Sequence, residues 1–280
     1  MRRRILLAGL FLVIAVVPST AGAETPSSGC RVEPPVAAPT TFEVDGLARQ
    51  AILVVPDDPA AGPQSLVFAF HGRTNANTRA RRYFGLEKAG HRPTIFVYPA
   101  GLRDASGGFT WFEPGDHADG LRDLAFFDVM LESIAASYCV DLDEAFVVGH
   151  SLGASFAIAL ACARSKEIRG VAAVAGGMPS SQCAGEVAAL LIHNPKDRLV
   201  PVAEGERARD TLLAAGSRDT GREEILRGFR CTRFADEGNP LLWCRHHQDR
   251  TSRGRFYPHQ WPQGAGATIM GFFEGLSERR

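Results

Sequence analysis

Five short apolar runs constrain this chain more than any other feature: Leu66 to Phe70, Thr94 to Tyr98, Ala145 to Val148, Gly170 to Ala175 and Ala188 to His193. Each is too short for a helix and lacks the alternation of a half-buried strand. Such runs suit strands covered on both faces, as in a parallel sheet. Helical periodicity falls between and after them, over Leu121 to Tyr138, Leu152 to Arg164, Val202 to Ala215 and Gly264 to Leu276. Phe42 to Val55 alternates as an opening strand or hairpin, stopped by Pro56-Asp57-Asp58-Pro59. Strands alternating with helices predict βαβ units and an α/β, three-layer domain: a mostly parallel central sheet with helices on both faces. With no repeat or linker, one domain is expected over residues 42–280, after an irregular Pro-, Ser- and Ala-rich lead-in at 24–41.

The first 23 residues read as an address. Three arginines in Met1 to Arg4 precede the apolar run Ile5 to Val17, and Ala21-Gly22-Ala23 follows as a small-x-small cleavage site. The run spans about 20 Å as a helix, short of a bilayer core of about 30 Å. A secretory signal peptide cleaved near Ala23 is therefore expected, with an uncleaved membrane anchor as the alternative. Export to the periplasm or medium makes the six cysteines disulfide candidates. Cys231 and Cys244 bracket two extended stretches around Glu237-Gly238-Asn239-Pro240 and are expected to face each other across a hairpin. Lys plus Arg and Asp plus Glu both number 31, so no electrostatic footprint for nucleic acid is present. No cysteine–histidine spacing suggests a structural metal.

The chemistry sits where strands end. Gly149-His150-Ser151-Leu152-Gly153 is a GxSxG directly after a predicted strand and directly before an Ala-rich helix. A serine on so sharp a turn needs small neighbours two residues to either side, which is the sequence mark of a nucleophile elbow. Ser151 is the expected nucleophile. An orienting acid and then a base should follow along the chain. Asp197, after the run Ala188 to His193 and before Val200-Pro201, fits the acid; Asp210 and Asp219 are its rivals. His259, in Tyr257-Pro258-His259-Gln260-Trp261-Pro262 before the closing helix, fits the base, with His246 and His247 as alternatives. Two backbone N–H groups are expected to hold the oxyanion, those of Leu152 and of Arg73 in His71-Gly72-Arg73-Thr74. His71, Trp111, His150 and Trp261 are expected to line the substrate cleft. The aromatics of Phe109-Thr110-Trp111-Phe112 either stack on a substrate ring or pack their own loop down.

Taken together, His71-Gly72-Arg73-Thr74, the GxSxG segment, His193-Asn194-Pro195-Lys196-Asp197 and Tyr257 to Pro262 resemble a secreted esterase family that includes feruloyl esterases and polyhydroxybutyrate depolymerases. Tyr138-Cys139-Val140-Asp141, Ala175-Gly176-Gly177 and Leu242-Trp243-Cys244 share the likeness, which runs from about Phe42 to Phe273. The chain departs from many members at Arg73, where they carry Cys. The resemblance implies an α/β-hydrolase fold, no cofactor, and Ser151, Asp197 and His259 as triad. It points to an exported serine esterase acting on small-molecule or polysaccharide-linked esters, feruloyl esters foremost. A hydroxyalkanoate depolymerase, a peptidase on the same elbow and a non-catalytic binding protein on this fold are the alternatives. Oligomeric state is not legible.

Overall fold

The computed structural model describes residues 24–32, 37–56, 62–111, 117–178, 183–216, 220–234 and 238–278. The expected signal segment, Phe112, Glu237 and Asp219 lie outside them. Ten strands form one sheet: β1 (Thr41–Val44), β2 (Leu47–Val54), β3 (Gln64–Phe70), β4 (Thr94–Pro99), β7 (Val140–His150), β8 (Gly170–Val174), β9 (Ala188–His193), β10 (Arg222–Leu226), β11 (Phe229–Phe234) and β12 (Leu241–Arg245). Their order is β1-β2-β4-β3-β7-β8-β9-β12-β11-β10. The six central strands, β4 to β12 in that order, are mutually parallel, and an antiparallel hairpin extends each edge. A two-stranded ribbon, β5 (Leu102–Arg103) with β6 (Phe109–Thr110), stands apart.

The apolar runs are continuous because both faces of the sheet are covered. In β3, Leu66, Phe68 and Phe70 join one core, while Val67 and Ala69 join the other. The first core packs under α2 (His117–Ser137), α3 (Leu152–Ala163) and α4 (Val202–Ala214), through Phe126, Phe127, Phe156 and Leu212. The second packs under α1 (Asn77–Phe84) and α5 (Ala265–Ser277), through Phe84, Ile269 and Phe273. This is the α/β-hydrolase arrangement anticipated from the strand–helix alternation. Among the described residues no helix is long and apolar enough to cross a membrane, and no His/Cys/Asp/Glu group is arranged to hold a metal ion.

Two elements differ from expectation. The run beginning at Ala145 is the inner part of a strand that starts at Val140, its acidic first half exposed only at Leu142 and Asp143. There Pro26 bridges to Asp141 and Ser27 N–H donates to Val140 O at 2.9 Å, so the lead-in is tethered to the sheet. The tether is also covalent: Cys30 is bonded to Cys139, Cys162 to Cys183 and Cys231 to Cys244. Cys231 and Cys244 sit opposite each other in the β11–β12 register, as the hairpin reading anticipated. With its cysteines 109 positions apart in sequence, Cys30–Cys139 closes the longest loop, a constraint on the unfolded chain worth on the order of 4–5 kcal/mol in the loop-entropy picture.

Candidate active site

β7 delivers Ser151 to the C-terminal edge of the sheet, where α3 begins. Ser151 has φ 58° and ψ −125°, a conformation that costs a non-glycine residue on the order of 1–3 kcal/mol and persists only where its surroundings impose it. They do so by close backbone packing. A Cβ on Gly149 would collide with the backbone of Gly153 and Ala154, and one on Gly153 with the carbonyls of Phe70 and His71. Ser151 N–H donates to Val174 O at 2.9 Å, fixing the turn to β8.

Asp197 and His259 converge on this serine from loops after β9 and β12. His259 Nε2 lies 2.8 Å from Ser151 Oγ, and His259 Nδ1 lies 2.6 Å from Asp197 Oδ2. With Asp197 ionised, Nδ1 carries the proton and Nε2 is left to accept from the serine hydroxyl. Asp197 Oδ1 accepts from the N–H groups of Leu199 and Val200 at 2.9 and 3.1 Å. Burial raises the Asp197 carboxyl, but the His259 hydrogen bond and charge, with the two backbone donors, outweigh it and hold the group below its ordinary value. His193, at the end of β9, reaches Val200 O at 2.9 Å and braces the turn that carries the acid.

The loop after β3 forms the opposite wall. A Cβ on Gly72 would stand 3.2 Å from His150 O and 3.3 Å from Ser151 Cβ, a tight fit that the bare glycine relieves. Thr74 N–H is bound to Phe109 O and Asn75 N–H to Gly72 O, whereas the N–H groups of Arg73 and Leu152 have no acceptor among the described residues. Leu152 is also the first residue of α3, whose unsatisfied N-terminal donors attract negative charge. His71 ties this loop down. Its Nδ1 donates to Gly72 O at 2.9 Å and its Nε2 accepts from Gly101 N–H at 2.8 Å, an arrangement only the neutral ring can make. Burial, partly opposed by the Gly72 hydrogen bond and helped by the Arg49 charge, pushes its pKa down to about 4.

His150 performs the same service on the other side. Its Nε2 donates to the backbone carbonyl of His259 at 3.1 Å, and its Nδ1 accepts from Tyr83 O–H at 3.1 Å. Burial, then the neighbouring His259, pushes His150 down to about 3, so the ring stays neutral and its tautomer is set. Trp261 stacks on Phe84 with ring centroids 4.2 Å apart, pinning the segment just after His259.

The structure thus brings Ser151, His259 and Asp197 into one hydrogen-bonded line beside the Arg73 and Leu152 N–H groups. It does not bring the rivals there. His247 is exposed, Asp210 is paired with Arg209 on α4, and His246 is buried beside Phe229. The expected cleft lining is corrected in three places. Trp111 is 2% exposed, stacked on Phe156, with its indole N–H on His71 O; His71 is wholly buried beside it, and His150 lies buried behind the serine. These rings support the site from beneath because a flat aromatic at the end of β6 gains more from the core than from the cleft. Trp261 alone of the four is partly exposed. Sequence reasoning missed Tyr83 and His193. The i, i+3, i+4 set Ala80, Tyr83 and Phe84 was the available mark of α1, hidden among arginines.

Comparisons with known proteins bear on the family and the fold. A family profile described as Phospholipase/Carboxylesterase matches residues 127–227. Feruloyl esterase C of Emericella nidulans is 31% identical over 225 residues, covering 76% of this chain and 77% of that protein. Poly(3-hydroxyalkanoate) depolymerase C of Paucimonas lemoignei is 30% identical over 157 residues, 54% of this chain and 36% of that one. The solved acetyl xylan esterase from Aspergillus awamori shares the fold, with a TM-score of 0.62 over 85% of this chain and 98% of that one at 14% identity.

Proposed function

This chain belongs to the α/β-hydrolase esterase family of the feruloyl esterases, and on that premise we propose that it is an exported enzyme that releases phenolic acids, ferulic acid foremost, from their esters. The observation that carries the reading is the line Asp197–His259–Ser151, with distances of 2.6 and 2.8 Å, next to two backbone donors that have no acceptor among the described residues. In this reading His259 Nε2 takes the Ser151 proton as Oγ attacks the ester carbonyl. Asp197 stabilises the imidazolium, and the Arg73 and Leu152 N–H groups receive the negative charge on the carbonyl oxygen. His259 then protonates the departing alkoxide, leaving an acyl-enzyme on Ser151. Water, deprotonated by the same ring, releases the acid and restores the serine. Every proton passes through one nitrogen, and none requires a cofactor. The basic-then-apolar start of the chain and its three disulfides support export.

Purified protein should hydrolyse both p-nitrophenyl butyrate and methyl ferulate, and Ser151→Ala should lower both rates by ~10⁴-fold or more with the fold intact. Turnover of the short ester alone would retain the serine chemistry and discard the phenolic acyl group. Added release of hydroxybutyrate from an oligomer would favour the depolymerase reading, which the match to the Paucimonas protein supports. Substantial activity in Ser151→Ala would overturn the mechanism.

A further inference from the structure

A groove of about 730 Å³ opens beside the His259 loop, between the Tyr83–Ala89 segment and residues 248–267. Its size falls in the ~300–1,000 Å³ range of ligand sites. We infer that it binds the sugar chain carrying the ester, and that this chain bears uronic acid carboxylates. The inference rests on the phenolic-ester reading of the same site and adds to it the nature of the alcohol.

Position is the first ground. The leaving oxygen must come within reach of His259 Nε2, so the chain attached to that oxygen departs along the surface next to His259. Gln260 and Trp261, the two residues after it, form the groove wall. Tyr83, on the opposite wall, hydrogen-bonds His150, the residue before Ser151. The groove therefore lies beside the His259 loop, with neither Ser151 nor His259 among its described lining residues.

Chemistry is the second. Trp261 is stacked on buried Phe84, flanked edge-on by Tyr83 and His150, and partly exposed, a fixed ring suited to the C–H face of a pyranose. Thr251 and Ser252 supply hydroxyls. The charged lining is Lys88 and Arg250, both exposed, with no carboxylate among the described lining residues. The acids adjacent to these cations in sequence are paired: Glu87 with Arg81 and Tyr98, while also feeling the charge of Lys88, and Asp249 with Lys196 and Asn194. Arg250 is held at the rim by donation to Gly254 O at 2.8 Å, and Gln260 clamps the loop through Gln248 O and Arg250 O. A preformed groove of one sign favours an anion over a neutral chain of the same shape.

The test is calorimetric binding to the full chain carrying Ser151→Ala. The ligands are a glucuronosyl xylo-oligosaccharide and the same oligosaccharide after carboxyl reduction. The acidic chain should bind at least tenfold more tightly, and raising ionic strength from about 0.01 to about 0.3 M should shrink the difference. Lys88→Glu and, separately, Arg250→Gln should each weaken the acidic chain severalfold at an unchanged melting temperature. Equal affinity for both chains would overturn the uronate assignment, and no binding of either would overturn the groove. Methyl ferulate hydrolysis by the unmodified enzyme is measured alongside. Its presence without oligosaccharide binding removes this inference alone, and its absence removes the phenolic-ester reading.

Discussion

At the end of β7 the backbone itself holds Ser151, whereas the loops that meet it are held by histidine side chains. Gly149 and Gly153 are there because backbone atoms occupy the space a Cβ would need. The acid–base and oxyanion loops have no such compression. His150 anchors the His259 carbonyl, His71 anchors Gly72, and His193 anchors Val200, each as a buried neutral ring donating to a carbonyl. Steric positioning demands particular residue types at fixed spacing and so marks the sequence. Hydrogen-bonded positioning uses scattered residues and leaves no local pattern.

The contrast can be broken at several points. Asp197→Asn alters neither arrangement but withdraws the charge behind His259, and kcat should fall ~10³–10⁴-fold with melting unchanged. Gly153→Ala attacks the steric side. Its methyl has nowhere to go between the Phe70 and His71 carbonyls, and denaturant unfolding should show a loss of ~3 kcal/mol or more. His150→Leu attacks the hydrogen-bonded side, leaving the His259 carbonyl and the Tyr83 hydroxyl without their partner. It should lower kcat ~10–100-fold with little change in KM, and His150→Gln, which keeps an N–H donor, should recover part of the loss.

Acid should strain the histidine-held loops in the same sense. His71, His150 and His246 sit at about 4, 3 and 4 in the fold, below the unfolded value of about 6.5. A depressed histidine is neutral in the native state and charged in the unfolded one. Its contribution is therefore complete above about pH 6.5 and is lost as pH falls toward the folded values. Each such proton adds up to ~1.4 kcal/mol per pH unit, so melting temperature should drop steadily from pH 6.5 to 4. A flat profile over that range would contradict the neutral-ring assignments.

How much could be read beforehand follows the same division. The parallel strands were legible because burial on both faces removes polar residues from them, as in β9, whose bounds were anticipated to the residue. Ser151 was legible through its glycines, and His259 and Asp197 through chain order and their places after strands. The edge strand β10 was not, since Arg222, Glu223 and Glu224 face solvent there and break any apolar run. α1 was masked by Arg79, Arg81 and Arg82, and with it went Tyr83. Trp111 was misplaced because a polar, glycine-rich surrounding suggests a loop at the surface, while its ring turns inward onto Phe156.

The central claim is that Ser151 carries the acyl group. Methyl ferulate mixed with the enzyme, quenched in acid within milliseconds and mapped by peptide mass should show a feruloyl adduct on the peptide containing Ser151. The Ser151→Ala variant should show none. An adduct on another residue, or ferulate released at full rate with no adduct at any quench time, would contradict the account.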